Sequence, residues 1–260
     1  MARLCTLASG SGGNSTYIST AGGDILIDIG LSSKAILNAM AEAGGSLERL
    51  RAIAITHTHS DHIKGLKTFL KKTDVPLIAS QDTFEYLMQK DIITPSTKTI
   101  CTDGMVDLGD VAVTYFKTSH DAKGSGGYVV TTSDGRRAAV CTDLGIMTDT
   151  VRQNLLGCDA VLLESNHDVE MLRRGPYPAE LKLRILSDEG HLSNNACAAE
   201  LPTLLKSGTT RIILGHLSLE NNTPILAQSA ARNALLTAGA KDDDYILQIA
   251  RPKTVGVTVF

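Results

Sequence analysis

Residues 51 to 62 constrain the fold most. An alternating apolar stretch, Arg51–Thr56 with Ile53 and Ile55, runs without a linker into Thr56-His57-Thr58-His59-Ser60-Asp61-His62, and three of the chain's seven histidines fall there. Alternation at period two predicts a strand, and Ile63, Leu66, Phe69 and Leu70 then repeat as on a helix over Ile63–Lys72. Side chains two apart on an extended strand end share a face, so His57 and His59 can point at one cation. Asp61 and His62 open the next turn and reach a second ion a few Å away. Imidazole with carboxylate suits zinc, with manganese and iron as alternatives. A ligand set free of cysteine suits a catalytic rather than a structural metal.

The rest of the chain alternates strands and helices. Leu4–Ala8, Thr16–Thr20 and Asp24–Asp28 predict an antiparallel meander, with turns at Ser9–Ser15 and Gly22-Gly23. Ser32 or Ser33 caps a helix carrying Ile36, Leu37, Met40 and Ala43 until Gly44-Gly45 ends it. Further strands are predicted at Val75–Ala79, Lys98–Cys101, Val111–Thr118, Gly127–Thr132, Arg137–Thr142, Val161–Glu164, Arg211–Leu214, Tyr245–Ala250 and Thr254–Phe260, with a helix at Gln81–Gln89 and others after the Val161 and Arg211 strands. No linker or short repeat divides the chain. The expectation is an α/β fold, an αββα sandwich of two mixed β-sheets flanked by helices, in one domain over residues 1–260.

Composition narrows the function. At 43% apolar and 20% charged, the chain holds a sizeable core, and a net charge of −3 excludes binding driven by gross positive charge while leaving a local basic track open. No apolar run approaches the roughly 20 residues of a membrane helix. The start lacks the long apolar core of a secretory signal, so a cytoplasmic location with no membrane partner is expected. The five cysteines are scattered and never spaced C-x-x-C, which indicates neither a disulfide framework nor a thiolate zinc site.

The segment His57-Thr58-His59-Ser60-Asp61-His62 resembles the H-x-H-x-D-H signature of the metallo-β-lactamase superfamily, and the resemblance extends along the chain. It implies that Asp28, in Ile25-Leu26-Ile27-Asp28-Ile29-Gly30, orients the histidine loop from behind. It implies one ion held by His57, His59 and His120, another by Asp61, His62 and His216, and Asp143 shared by both. Two such cations lower the pKa of a bridging water, which attacks as hydroxide. Val161–Asp168 and Gly190–Asn195 are similar to segments that supply a Glu and a His in the tRNA 3′-processing endonuclease branch, which implies Glu164 and His191 as a proton-donating dyad. On structural grounds the same pair can instead cap a sheet end and a helix start. Over nearly its full length, through Leu7–Ser15, Leu163–Asp168, Gly190–Asn195 and Leu214–Asn222, the chain resembles the YycJ (WalJ) group of the superfamily. That implies a dinuclear phosphodiesterase, a 5′-to-3′ exonuclease acting on DNA with an accessible end.

Candidate substrate contacts are Ser11, Asn14, Arg173, Arg174, Asn194 and Asn221, together with His167, which reads equally as a phosphate contact or a plain loop residue. Arg173, Arg174, Lys182 and Arg184 set four cations against Glu180 in a charged loop, and Tyr177 there can stack on a base. Lys64, Lys67, Lys71 and Lys72 read as a solvated helix face or a phosphate track. Two rival readings stand: a thioester or amide hydrolase of the glyoxalase II or β-lactamase type on a small molecule, lacking the proton-donating dyad, and a non-catalytic binding protein with a structural metal.

Overall fold

The structure, a computed structural model, describes residues 1–260. Six strands, β1 (Arg3–Ala8), β2 (Ser15–Thr20), β3 (Gly23–Ile27), β4 (Leu50–Ala54), β5 (Leu77–Ala79) and β6 (Thr99–Cys101), come first. Seven more follow: β7 (Met105–Asp107), β8 (Val111–Lys117), β9 (Gly126–Thr132), β10 (Arg137–Cys141), β11 (Ala160–Glu164), β12 (Arg211–Gly215) and β13 (Ile246–Ile249); β14 (Gly256–Val259) ends the series. They form two seven-stranded mixed sheets, ordered β14-β1-β2-β3-β4-β5-β6 and β13-β12-β11-β10-β9-β8-β7. The two sheets repeat one plan. Counted from β14 or from β7, the first three pairings are antiparallel and the last three parallel.

The helices are α1 (Ser33–Glu42), α2 (Ser60–Ile63), α3 (Leu66–Phe69), α4 (Gln81–Gln89), α5 (Asp149–Leu155), α6 (Val169–Arg174), α7 (Ala179–Leu186), α8 (Asn194–Lys206) and α9 (Pro224–Thr237). Ser32, Ser80, Thr148, Asp168, Ser193 and Thr223 each accept a backbone N–H with the side chain at a helix start, so six starts are written locally. Three apolar layers result. Ile18, Ile25, Val113, Tyr128, Val130 and Ile213 pack between the sheets; Ile36, Met40, Leu66, Phe69 and Leu87 lie under α1, α3 and α4; Val151, Leu155, Leu201, Ala231 and Leu235 lie under α5, α8 and α9. The αββα arrangement is as expected, and no helix is long and apolar enough to cross a membrane. Four cysteines are buried and Cys101 is exposed; none forms a disulfide.

Three local expectations need correction. The helix predicted over Ile63–Lys72 is broken into α2, α3 and a 3₁₀ turn at Leu70–Lys72. Gly65 sits at the break, where a Cβ would come within 2.1 Å of the Leu31 carbonyl oxygen, and its N–H donates to Ile29 O at 2.9 Å. The chain leaving β3 crosses there, so packing overrides periodicity. The charged loop around Arg173 is helical, as α6 and α7. Asp168 caps the first, and Gly175-Pro176-Tyr177-Pro178 interrupts before the second. At six and eight residues, split by Gly175 and two prolines, they are too short for their periodicity to stand out in the sequence. Strand β7 was not anticipated: it is a three-residue edge strand with no buried position.

Candidate metal and catalytic site

The predicted ligands converge at the carboxyl ends of the parallel strands, where α/β sheets gather their chemistry. Asp28 follows β3, the His57–His62 segment follows β4, Asp143 follows β10, Glu164 ends β11 and His216 follows β12. His120 comes from the loop between β8 and β9. Ligand atoms of His57, His59 and His120 lie within 4.8 Å of one another, as do those of Asp61, His62 and His216; Asp143 makes a third such group with His57 and His62.

Neighbouring groups hold three of the imidazoles through Nδ1. His62 Nδ1 lies 2.7 Å from Asp28 Oδ2, and the same carboxylate accepts the Thr56 N–H at 2.9 Å and the Thr56 hydroxyl at 2.8 Å. The position of Asp28 behind the histidine loop is therefore the expected one. His120 Nδ1 lies 2.9 Å from the Gly190 carbonyl, and His216 Nδ1 2.7 Å from Glu164 Oε1. A nitrogen so engaged leaves the other to face the centre. Three backbones are held left-handed there, at Asp28 (φ 62°), Asp143 (61°) and His216 (53°), a conformation that costs non-glycine residues about 1–2 kcal/mol. Around His216 the structure enforces it: its N–H donates to Ser9 Oγ at 2.7 Å and its carbonyl accepts Asn166 Nδ2 at 2.9 Å.

The charges are mutually adjusted. Burial alone would lower the pKa of His62 and His216, but the carboxylates outweigh it: Asp143 and Asp28 hold His62 well above the usual range, and Asp143, Asp61 and Glu164 push His216 up to about 10. Burial and, after it, the neighbouring His62 hold His57 well below it. Asp61, despite burial, is held far below the usual carboxylate range by its neighbours His216 and His62. Buried His57 Nε2, His216 Nε2 and Asp143 Oδ2 have no hydrogen-bond partner. Orphaned polar atoms in an interior cost roughly 1–3 kcal/mol each. Nitrogen and oxygen donors left free at this spacing fit a divalent cation, and the donor set suits zinc chemistry.

Glu164 is fully buried and serves two imidazoles. Its Oε1 lies 2.8 Å from His191 Nδ1 and 2.7 Å from His216 Nδ1, while its Oε2 accepts the backbone N–H groups of Leu144 and Leu192, both at 3.1 Å. Burial would raise its pKa, but the two histidines bring it down to about 2. His191 is raised in turn, Glu164 outweighing burial. Helix α8 is capped by Ser193, so His191 is no helix cap. Sequence reading missed the contact of Glu164 with His216, for which no local signal exists.

A cleft of about 340 Å³ opens on the centre and is lined by Ser11, Asp61, Asp143, Tyr177, Arg184, His191 and His216, among others. Of the candidate substrate contacts it includes Ser11, with Tyr177 and Arg184 of the charged segment. Asn14 is buried and spent on positioning: its Nδ2 lies 3.1 Å from Asp61 Oδ2 and 2.9 Å from His62 Nε2, and its Oδ1 accepts the Gly10 N–H at 2.8 Å. Asn194 is also interior, exchanging amide hydrogen bonds with Asn222 at 2.9 Å and accepting the Ser165 hydroxyl at 2.6 Å. Asn221 is wholly buried. Arg173 and Arg174 pair with Glu170 at 3.2 and 3.3 Å, outside the cleft wall. Direct contact with substrate is thus corrected for Asn14, Asn194 and Asn221 by burial, and for the two arginines by placement. Lys67 and Lys71 line a separate groove with Lys98. Tyr177 and Arg184, which the sequence offers within the charged segment, do reach the cleft wall; beside them stands Asp121, which sequence reading left out of the site and which directly follows His120, the one hint available.

His167 is neither a surface loop residue nor a phosphate contact, because it is 1% exposed with both ring nitrogens unpartnered. Burial pushes its pKa down to about 4. The unfolded chain therefore takes up the proton first, and the stability that depends on neutral His167 is complete above about pH 6.5 and lost as pH falls toward 4. The expected loss approaches about 3 kcal/mol across that window. Urea unfolding at pH 7 and pH 5 checks it: His167→Leu should lose less stability on acidification than the parent, and equal losses would refute the assignment.

Residues 24–217 match the beta-lactamase superfamily domain. The chain is 39% identical over 237 residues to the exodeoxyribonuclease YycJ of Bacillus anthracis, covering 90% of this chain and 89% of that protein. It is 40% identical over 236 residues to the exodeoxyribonuclease WalJ of Streptococcus pneumoniae, covering 89% and 87%. Among solved structures, the metallo-beta-lactamase fold protein YhfI from Bacillus subtilis superposes with a TM-score of 0.69 over 99% of both chains at 16% identity, a likeness of fold.

Proposed function

Because this chain belongs to the metallo-β-lactamase superfamily and is a metal-dependent hydrolase of its nuclease kind, we propose that it is a 5′-to-3′ exonuclease that cleaves phosphodiesters at an accessible DNA end. One observation carries the reading: His191, its side chain 19% exposed on the cleft, is held through Nδ1 by the buried Glu164 carboxylate. Thioester and amide hydrolysis on this frame has no need of that pair. An alkoxide leaving a phosphate needs a proton, and an imidazole kept protonated by a carboxylate supplies one. His57, His59 and His120 would hold one divalent cation, Asp61, His62 and His216 a second, with Asp143 between them. Bound there, the two cations would supply an activated water and neutralise charge on the phosphate oxygens.

The chain's own residues do the remaining work. Asp28 and Glu164 fix the rings of His62 and His216, Asn14 steadies Asp61, and His191 delivers its proton from Nε2, since Nδ1 is engaged. The test is to strip the protein, reload it with zinc or manganese, and follow product length on 5′- and 3′-labelled single- and double-stranded DNA and RNA. Mononucleotides released in order from the 5′ end of DNA are expected. DNA left intact under every divalent ion, with a thioester or lactam hydrolysed instead, would overturn the proposal.

A further inference from the structure

The cleft wall carries carboxylates and imidazoles and a single side chain of permanent positive charge, Arg184. Helix α7 delivers it: Tyr177 just before the helix, then Leu181, Arg184 and Ile185, recur at helical spacing and face the cleft. The guanidinium donates to Asp121 Oδ2. The other oxygen of Asp121 lies 3.6 Å from His59 Nε2 and 3.5 Å from His120 Nε2. Asp121 thus stands between Arg184 and the first histidine trio and belongs to neither ligand set.

The strength of this pair decides what it is for. Half of the Arg184 side chain is exposed, and ion pairs open to water contribute only about 0–1 kcal/mol. Such a pair yields readily to a better anion. A phosphate offers a guanidinium two parallel charge-assisted hydrogen bonds, and a strand entering a cleft walled by Asp61 and Asp143 needs a cation to offset their charge. We propose that Arg184 grips a phosphate of the substrate strand and that Asp121 holds it between turnovers, the guanidinium exchanging carboxylate for phosphate as DNA enters. This rests on the nuclease reading above. Carboxylate and phosphate compete for one partner, which has a consequence in sign: Arg184→Gln weakens strand binding, while Asp121→Asn removes the competitor and strengthens it. A pair that only braced the Asp121 loop against α7 would make both substitutions act alike.

The experiment is fluorescence anisotropy of a labelled, phosphorothioate-linked dodecathymidylate on the metal-loaded full-length protein across a salt series, with metal content measured for every variant. Arg184→Gln should weaken binding about tenfold, the size of one charge-assisted hydrogen bond, and lower the slope of log K against log salt by about 0.7, one phosphate contact on a single strand. Arg184→Lys should keep the slope and regain only part of the affinity, because an ammonium cannot pair in two-pronged fashion. Asp121→Asn should tighten binding severalfold at an unchanged slope. Weakening by both Arg184→Gln and Asp121→Asn, or an unchanged slope in Arg184→Gln, overturns the assignment while the nuclease reading stands. A parent protein that neither binds nor shortens DNA overturns the nuclease reading, and the role of Arg184 with it.

Discussion

His191→Ala is expected to slow cleavage of a natural DNA phosphodiester by about 10²–10⁴-fold, the usual reach of a positioned general acid. The protein should still fold and take up metal, because the ring is one-fifth exposed and touches the centre through Glu164. The leaving group supplies the decisive control. A thymidine 5′-phosphate ester of nitrophenol departs as a stable anion that needs no proton, so on that ester the variant should run near the parent rate. Equal losses on the two substrates would mean that His191 positions the substrate rather than protonating it. Glu164→Gln should do more damage. An amide must turn an N–H group toward either the two imidazoles or the Leu144 and Leu192 amides, which are donors already. The resulting mismatch costs about 1–3 kcal/mol of stability and also releases His216, so reduced metal content should accompany the lost rate.

Removing the metal should be the larger perturbation. Cleavage should fall to background, and the melting temperature should drop by about 5–10 °C, since free metal at about 100 times its Kd adds roughly 2.7 kcal/mol to a chain of this size. The physical source is the set of atoms His57 Nε2, His216 Nε2 and Asp143 Oδ2, which are buried at a desolvation cost without a hydrogen bond and which a cation would engage. Asp143→Ala should reproduce the loss of rate, by about 10³-fold or more given the several kcal/mol that a bound cation contributes, and should flatten the dependence of melting temperature on metal concentration. Calorimetry of the parent and variant with and without chelator checks both. A melting temperature indifferent to metal in the parent would contradict the arrangement.

The contrast between the two ends of the site shows what a sequence can carry. His57, His59, Asp61 and His62 are legible because one strand end and one turn hold all four, and local backbone geometry fixes their directions. His120, Asp143 and His216 follow three different strands of the second sheet and are legible through their order along the chain, which a resemblance supplies and periodicity does not. Asn14 shows the limit. A polar side chain in a Gly-Ser turn reads as free to meet a ligand, yet the turn folds inward and its amide is consumed by Gly10, Asp61 and His62. Asn194 and Asn221 fail the same way, through burial that arises only when three loops close on one another. Arg184 and Asp121 lie 63 residues apart, and nothing short of the assembled cleft brings them together. Gly65 breaks a well-patterned helix because another segment needs its space, a fact about the neighbour rather than about the helix.

The repetition of one strand plan in both sheets gives the carboxylates that follow β3 and β10 nearly the same address, and Asp28 and Asp143 even share their backbone twist, at φ 62° and 61°. Their employment has diverged. Asp28 faces inward and steadies a ring, while Asp143 opens on the cleft. A frame of near-equivalent halves has thus been divided into a supporting side and a working side by what surrounds each carboxylate, and exchanging those surroundings, rather than rearranging strands, is the short route by which such a frame acquires a different chemistry.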